Sequence, residues 1–224
     1  MKNLRSILSV ICTLCLFGTV SVKAQKKIAE LTLVYEYSVS SAAEQSKHQD
    51  GGANATNTIY IKGSKSRSEM SNSLFSSTTL FDLNTGSGVI LREVSGQKLL
   101  INLTSENWQE RNRVYDGMVY KNTTETRDIA GYKCIKAIAT TKTGATLTVF
   151  YTRDVVPDNK DYDPVFKNLD GLPLEYELTN GDMKIRYKIS KINFNPVPAS
   201  KFDLPKSGYR EMNYEESKKM NIGG

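Results

Sequence analysis

Residues 172–189 read LPLEYELTNGDMKIRYKI, and the alternation within them identifies the class of fold. Apolar residues alternate with Glu before Asn180-Gly181, and with Lys and Arg after it. Side chains along a β-strand point to opposite faces in turn, so each half is a strand with one apolar and one polar face. Because Asn-Gly favours a two-residue turn, the stretch predicts an antiparallel hairpin.

The same two-residue period recurs along the chain, for example where Leu31 and Leu33 share one face. The parity slips between Ile189 and Ile192, which indicates a β-bulge. Strands that are neighbours in sequence mostly pair as hairpins, so we predict a mainly β protein built on a curved antiparallel sheet or open barrel. About ten strands are predicted, over residues 28–39, 58–62, 65–70, 77–82, 88–94, 97–103, 132–140, 145–152, 172–178 and 183–189.

The N-terminal segment has the three parts of a secretory signal peptide. Lys2 and Arg5 begin it, an apolar run follows over residues 7–20, and small or apolar residues precede Gln25. The run is shorter than the ~20 residues that span a bilayer, which disfavours a retained anchor. We therefore expect residues 1–24 to be removed, which leaves no transmembrane segment and places the mature chain in the periplasm or at the outer membrane.

Cysteines and charge limit the partners of the mature chain. Cys15 lies near where bacterial lipoproteins carry their modified cysteine, but the apolar run continues past it, so we expect no lipidation. Cys134 is then the only cysteine, and we expect it to be buried as a small hydrophobe. Removing Lys2, Arg5 and Lys23 lowers the formal net charge from +6 to +3. The other basic residues are spread along the strands, so we expect no nucleic-acid partner.

The mature chain reads as a single β domain over residues 25–205. Residues 40–57 contain no large apolar side chain and are predicted to form a mobile loop inserted between two strands. Three further segments are predicted to lie outside strands: 105–115 (helical turns or a loop), 154–167 (a loop with a helical turn near 165–168) and 206–224 (a tail or short helix).

The residue patterns of catalytic, metal and cofactor sites are missing from the sequence. His48 is the only histidine and lies in the predicted loop, where nothing holds it as a base or a zinc ligand. Ser95 and Lys98, followed by residues 105–107 and 142–144, imitate the motif order of penicillin-recognising enzymes, but Ser95 lies in a hairpin turn instead of a helix. We therefore predict no enzyme, no catalytic residue, no cofactor and no metal.

Two groups of acidic residues have simpler explanations than catalysis or ion binding. Glu175 and Glu177 share one strand face, about 7 Å apart, which is near the spacing in inverting glycosidases. Cross-strand pairing with the basic residues among 184–188 explains them better. Residues 158–163 (DNKDYD) have the oxygen density of a calcium loop but lack the EF-hand spacing, so we expect a solvated loop.

Four segments resemble a known group of exported proteins. Residues 59–70 (IYIKGSKSRSEM) are similar to paired strands in proteins related to LolA, the outer-membrane lipoprotein-sorting protein. Residues 129–137 (IAGYKCIKA) resemble a strand of that group and of the GLPGLI family, and residues 150–152 and 171–175 fit the strands that follow. Both groups are common in Bacteroidota, and the resemblance covers most of residues 28–205.

The resemblance implies a strongly curved antiparallel sheet, an open half-barrel with a short helical or loop lid on its concave side. LolA-type carriers hold acyl chains in that hollow. This sequence departs from them because it lacks the amphipathic helices that line the carrier lid. It also has Leu-Pro-Leu-Glu at residues 172–175 and so lacks the ending of the GLPGLI motif.

Two functions agree with these observations. The first is a non-enzymatic structural or interaction module of the cell envelope, whose exposed strands or predicted loop contact an envelope protein partner. The second is a periplasmic carrier or binding protein that holds a lipid or other apolar ligand on the concave face of the sheet. A cavity lined by apolar side chains would favour the second function, and a filled core would favour the first. The sequence does not indicate which residues face a ligand.

Overall fold

A computed structural model of the chain describes residues 26–41, 55–72, 75–94 and 96–220. Three predictions lie outside the described residues: the signal peptide with Cys15, the part of the inserted loop that contains His48, and the position of Ser95. The described residues form fourteen strands and two α-helices. Within these ranges, neither helix is long and apolar enough to cross a membrane.

The strands are β1 (Lys26–Ile28), β2 (Glu30–Ser41), β3 (Thr56–Lys62), β4 (Lys65–Ser71), β5 (Phe75–Asp82), β6 (Ser87–Val94), β7 (Gln97–Leu103), β8 (Lys121–Ile129), β9 (Tyr132–Thr140), β10 (Thr146–Thr152), β11 (Val155–Pro157), β12 (Leu172–Asn180), β13 (Met183–Asn193) and β14 (Arg210–Asn213). The helices are α1 (Ser105–Asn112) and α2 (Tyr214–Lys219). Short 3₁₀ turns cover Arg113–Tyr115, Lys160–Tyr162, Pro164–Phe166 and Ala199–Phe202.

Twelve of these strands form one sheet, in the order β14-β7-β6-β5-β4-β3-β2-β13-β12-β10-β9-β8. Neighbours run antiparallel except β14 and β7, which are parallel. β14 and β8 occupy the two edges, so the described sheet is open, and its curvature gives a concave and a convex face. β1 and β11 form a separate parallel pair. The prediction of a mainly β, curved and open sheet is confirmed.

The hairpin between β12 and β13 forms as predicted. Leu178 lies opposite Ile185, and both side chains reach the concave face. The predicted bulge is also present, because the register between β13 and β2 shifts between Ile189 and Lys191. The two-residue period therefore places the apolar side chains of both strands on one face.

The main core lies on the concave face and takes alternate residues from the central strands. Leu31 and Leu33 of β2 are fully buried in it. Tyr35 is also fully buried, and its hydroxyl donates to the carbonyl of Pro173 at 2.9 Å. Full burial of one such apolar side chain stabilises a fold by about 1.5–3 kcal/mol, so β2 anchors the centre of the sheet.

The convex face is only partly exposed to water, although several strands carry a polar second face. Leu91 and Leu100 are buried there beside Tyr209. The chain crosses to this face after β13, where the backbone N–H of Val197 donates to the carboxylate of Glu30 at 2.7 Å. The segment that follows lies over the outer side of β5 to β7, which explains why Leu80, Leu91 and Leu100 are buried on that face.

The alternation of apolar and polar residues did not predict four of the strands: β1, β8, β11 and β14. β8 reads KNTTETRDI, and most of its side chains are exposed at a sheet edge. An edge strand needs no continuous apolar face, and polar residues there oppose unwanted pairing. Residues 206–224 contain the predicted short helix as α2, preceded by β14, which the sequence did not predict.

Two predicted loops are more regular than expected. β2 continues to Ser41 and β3 begins at Thr56, so strands take over both ends of the predicted loop 40–57. Residues 154–167 contain β11 and two 3₁₀ turns, and Tyr162 within them is buried. The expectation of a solvated loop over residues 158–163 holds only in part: Asp158 and Lys160 are exposed, whereas Asn159 and Tyr162 are buried because this segment packs over the sheet.

We expect Leu33→Ala to lower the free energy of unfolding by about 2–5 kcal/mol, because it removes a fully buried side chain and leaves a cavity in the core. Leu204→Ala is the control: Leu204 is 43% exposed, so its loss should cost less than about 0.5 kcal/mol. Urea denaturation measures both. Equal losses would show that β2 does not form the centre of the core.

Candidate functional site

A cleft lies on the concave face, between the middle of the sheet and two lid segments. The first lid segment is α1 with the turn after it, and the second is residues 159–166, which carry two of the 3₁₀ turns. Together with the sheet they enclose a concave cavity of about 280 Å³. Its lining consists of Asn57, Ser66, Ser68, Met70, Thr79, Phe81, Trp108, Arg111, Asn112, Tyr115, Leu147, Tyr162, Asp163, Pro164, Val165, Tyr176, Leu178, Ile185 and Tyr187.

The concave cavity exists because two middle strands carry small side chains on this face. β3 presents Ile59 and Ile61, whereas the neighbouring β4 presents Ser66 and Ser68 opposite them. On β5 the next position across the sheet is Thr79. Serine and threonine occupy less volume than isoleucine, so space remains between these strands and the lid.

An aromatic floor closes the cavity on the side of β12 and β13. Tyr37, Tyr187 and Tyr176 stack across β2, β13 and β12, with ring centroids 5.5 and 4.5 Å apart. Phe166 from the second lid segment meets Tyr176 edge-on, at 4.8 Å between centroids. Aromatic pairs of this kind contribute about 0.5–1.5 kcal/mol beyond their burial, so the floor ties the second lid segment to the sheet.

Trp108 anchors the first lid segment. Its indole ring stacks on Phe81 of β5, with centroids 4.2 Å apart. Gly88 of β6 makes room for the indole, because a Cβ at that position would lie 3.2 Å from the ring. Thr104 and Asn107 form a capping box that starts the helix. α1 therefore lies over β6 and β7, reaches β5 through Trp108, and places its following residues at the cavity.

Asp163 begins the 3₁₀ turn of the second lid segment. Its Oδ1 accepts a hydrogen bond from the backbone N–H of Val165 at 3.0 Å. The carbonyl of Val165 accepts a hydrogen bond from the hydroxyl of Tyr120 at 2.6 Å. These two bonds hold the turn over the sheet with the carboxyl group of Asp163 at the cavity wall.

The carboxyl group of Asp163 lies in an enclosed site. Burial raises its pKa to about 6, although the hydrogen bond from Val165 and the positive charge of Arg111 both oppose that rise. The residue as a whole is half-buried, so water still reaches part of it. Burial, together with the negative charge of Asp163, raises the pKa of the surrounding tyrosines Tyr35, Tyr115, Tyr120, Tyr162, Tyr176 and Tyr187.

Tyr162 brings an unsatisfied polar group to the same wall. The residue is 6% exposed and lines the concave cavity, and its hydroxyl has no hydrogen-bond partner among the described residues. A buried hydroxyl without a partner costs about 1–3 kcal/mol.

An outer cavity of about 310 Å³ adjoins the concave cavity under the same lid. Phe81, Trp108, Asn112, Tyr115 and Pro164 line both. The outer cavity has a more polar lining than the concave cavity.

Glu175 and Glu177, the described pair that was weighed as catalytic, are not among the residues that line the concave cavity. Cys134 is buried as predicted, and burial raises the pKa of its thiol to about 11. Glu177 pairs with Arg186 of the neighbouring strand at 2.8 Å, and Glu175 pairs with Arg127 at 3.2 Å. The prediction that this glutamate pair is held by cross-strand partners is confirmed for Glu177.

The acidic segment 158–163 has two structural roles instead of an ion site. Asp161 forms an ion pair with Lys167 at 2.6 Å, and Asp163 caps the lid turn. Across the part of the chain that the structure describes, no group of three or more His, Cys, Asp or Glu could hold a metal ion. Sequence reasoning assigned this segment to solvent and so missed Tyr162 and Asp163 as cavity residues.

The sequence matches no protein-family model and no curated protein. Solved structures do resemble the fold. PNGF-II, in its P21 and C2 space groups, aligns with TM-scores of 0.52 and 0.51 at 13% and 14% identity. Each alignment covers 86% of this chain but 33% and 32% of PNGF-II, so the chain spans about a third of that protein's length. An uncharacterized conserved protein from Thermus thermophilus aligns with a TM-score of 0.47 at 8% identity, over 83% of this chain and 90% of that one.

The likeness to PNGF-II shows the fold alone, because the identity is so low. It agrees with the curved sheet that the LolA resemblance implies. No comparison names the LolA-related group or the GLPGLI family, so the family assignment stays a prediction.

We expect Asp163→Asn to stabilise the protein at neutral pH. The pKa of this carboxyl is about 6 in the folded chain and about 3.9 in an unfolded one, so folding penalises its charged form at higher pH. One pKa unit corresponds to about 1.4 kcal/mol, and solvent contact reduces the effect, so the free energy of unfolding should rise by about 1–2 kcal/mol above pH 6. The gain should shrink as the pH falls from about 6 to 4.

Urea denaturation at several pH values measures this gain. Asp158→Asn is the matched control, because Asp158 is an exposed carboxylate on the same segment and should change stability by less than about 0.5 kcal/mol. A loss of stability in Asp163→Asn at neutral pH would contradict the expectation. It would mean that the cap on Val165 outweighs the cost of burying the charge.

Proposed function

We propose that this chain is a non-enzymatic binding module of the cell envelope, which holds a small amphipathic ligand in the concave cavity. The observation that carries the proposal is the run of small side chains, Ser66, Ser68 and Thr79, beneath the lid. A folded chain gains stability when such space is filled with apolar side chains. The absence of large apolar side chains at these positions is explained if a ligand occupies the space.

The size and lining of the cavity suit a compact ligand. Small-molecule sites commonly measure about 300–1,000 Å³ and combine apolar walls with a few polar groups. The concave cavity of about 280 Å³ and the adjoining outer cavity of about 310 Å³ together fall in this range. Leu178, Ile185 and Tyr187 offer an apolar surface, while Ser68 and Asp163 offer hydrogen-bonding groups.

A structural or interaction module is the alternative, and its support is weaker. A partner that adds a strand to the sheet needs an open edge. β8 lies at such an edge, but its side chains are mostly polar or charged, and its register with β9 shifts between Asn122 and Thr126. Charges and bulges at an edge oppose pairing with another strand. We therefore favour binding in the cavity over docking at the edge.

The chemistry of the described residues supports binding over catalysis. A thiol with a pKa of about 11 is protonated at neutral pH, so Cys134 is a poor nucleophile. A general base needs a proton to abstract within hydrogen-bond reach. The hydrogen bond recorded at Asp163 comes from the backbone N–H of Val165, which is not a reacting group.

The proposed location in the periplasm or at the outer membrane rests on the predicted signal peptide over residues 1–24. A mature N-terminus at Gln25, in protein isolated from its host, would support it. The partner of the chain is then the ligand of the cavity, such as a lipid or another amphipathic molecule that is present in the envelope.

Trp108 provides a direct test of ligand binding, because it is the only tryptophan and lines the cavity. We expect octan-1-ol to produce a saturable change in tryptophan fluorescence. Ser68→Leu should weaken this binding at least about tenfold, because a leucine at that position fills part of the hollow that the ligand needs.

Ser76→Leu is the matched control, since Ser76 is exposed and lies on the opposite face of the sheet from Thr79. Its affinity for octan-1-ol should equal that of the unmodified chain. Equal affinities for the two variants would refute binding in the concave cavity, and so would the absence of a saturable response to octan-1-ol and to every other eight-carbon amphiphile tested.

A further inference from the structure

We infer that the ligand of the concave cavity carries an ammonium group, which the carboxylate of Asp163 holds while the apolar part lies on the tyrosine floor. This inference rests on the proposed function, because it names the chemical class of ligand for the same cavity. Its basis is the set of hydrogen-bond acceptors and charges that the two lid segments bring to the cavity wall.

The carboxylate of Asp163 has capacity for a ligand. An ionised carboxylate can accept about four hydrogen bonds. Among the described residues, the carboxylate of Asp163 accepts a hydrogen bond from the backbone N–H of Val165, which reaches Oδ1 at 3.0 Å. Asp163 lines the cavity, so its remaining lone pairs are available to donors inside it. A ligand without donors cannot use them.

An ammonium group matches this capacity, because it has three donors and no acceptor. It can therefore donate more than one hydrogen bond to the carboxylate and its surroundings, whereas an alcohol has one donor and a carboxylate has none.

Two charged side chains are among the described residues that line the cavity, Arg111 and Asp163, and their formal charges are of opposite sign. Burial raises the pKa of Asp163 and lowers the pKa of Arg111, so it disfavours both charges. A ligand cation beside Asp163 would stabilise its carboxylate, and the free hydrogen-bonding capacity of that carboxylate is what favours a cation with several donors.

The remaining titratable groups that face Asp163 are tyrosine hydroxyls, which stay neutral at physiological pH because burial raises each pKa. They come from β2, from the connection between α1 and β8, from the second lid segment, and from β12 and β13: Tyr35, Tyr115, Tyr120, Tyr162, Tyr176 and Tyr187. Any pH dependence of ammonium binding between about pH 5 and 8 therefore comes from Asp163.

Three probes with the same eight-carbon chain test the inference: n-octylamine, octan-1-ol and octanoate. Calorimetry and the fluorescence of Trp108, at about pH 7.5, measure their affinities for the whole chain. We expect the amine to bind at least about tenfold more tightly than the alcohol, and octanoate to bind most weakly. If the alcohol or octanoate binds as tightly as the amine, the inference fails and the proposed function stands. If none of the three binds, both fail.

The substitution Asp163→Asn removes the negative charge and keeps the hydrogen bond that holds the lid turn. The asparagine amide oxygen can still accept the N–H of Val165, so the lid turn is retained, which a circular-dichroism spectrum checks. We expect the affinity for octylamine to fall at least about tenfold and the affinity for octan-1-ol to change less than about twofold. Asp158→Asn, an exposed change on the same segment, should alter neither affinity. An unchanged octylamine affinity in Asp163→Asn would overturn the inference.

The pH dependence gives an independent readout. Octylamine stays protonated throughout the range, so its affinity should fall as the pH is lowered through about 6 and Asp163 takes up a proton. The affinity for octan-1-ol, and the affinity of Asp163→Asn for octylamine, should not change with pH. A constant octylamine affinity from about pH 8 to 5 in the unmodified chain would contradict a role for the Asp163 carboxylate.

Discussion

Burial of the concave face is the constraint on which the rest of this structure depends. A sheet of twelve strands exposes a long apolar surface on that side, and the described chain has little helix with which to cover it. The centre is closed by side chains such as Leu33 and Tyr35, which pack among neighbouring strands. Elsewhere the cover consists of α1 and of residues 159–166. Where β4 and β5 carry serine and threonine, the lid spans the surface without filling the space beneath it.

The lid has to remain ordered without a large core of its own, and it does so through a few directed contacts. Trp108 stacks on Phe81, and the second segment is held by the Asp163 cap and by the hydroxyl of Tyr120. The cap has an energetic consequence, because it brings a carboxylate into an enclosed site where its charged form is disfavoured. Asp163 therefore links the order of the lid to the electrostatics of the cavity.

The sequence predicted the architecture well because the period of two is a direct consequence of strand geometry. The hairpin at Asn180-Gly181 and the bulge after Ile189 were both readable from local residues. β8 was not readable, since an edge strand with mostly exposed side chains carries no apolar alternation. β14 pairs with β7 across a long separation in sequence, and local patterns carry no information about such pairing.

The cavity could be predicted only in part. Residues 65–71 (KSRSEMS) contain the signal, because Ser66 and Ser68 occupy positions that a filled core would give to large apolar side chains. Recognising them requires knowing that β4 lies in the middle of the sheet. The acidic run at 158–163 was misread because composition alone suggests solvent, whereas Pro164 and the cap by Asp163 fold it over the sheet as a lid.

A crystal structure of the protein purified from its own host tests the central claim most directly. The account predicts α1 and residues 159–166 standing clear of Ser68 and Thr79, with density for a bound molecule in the space between. A structure in which the lid residues pack directly against these two side chains, leaving no space between lid and sheet, would contradict it.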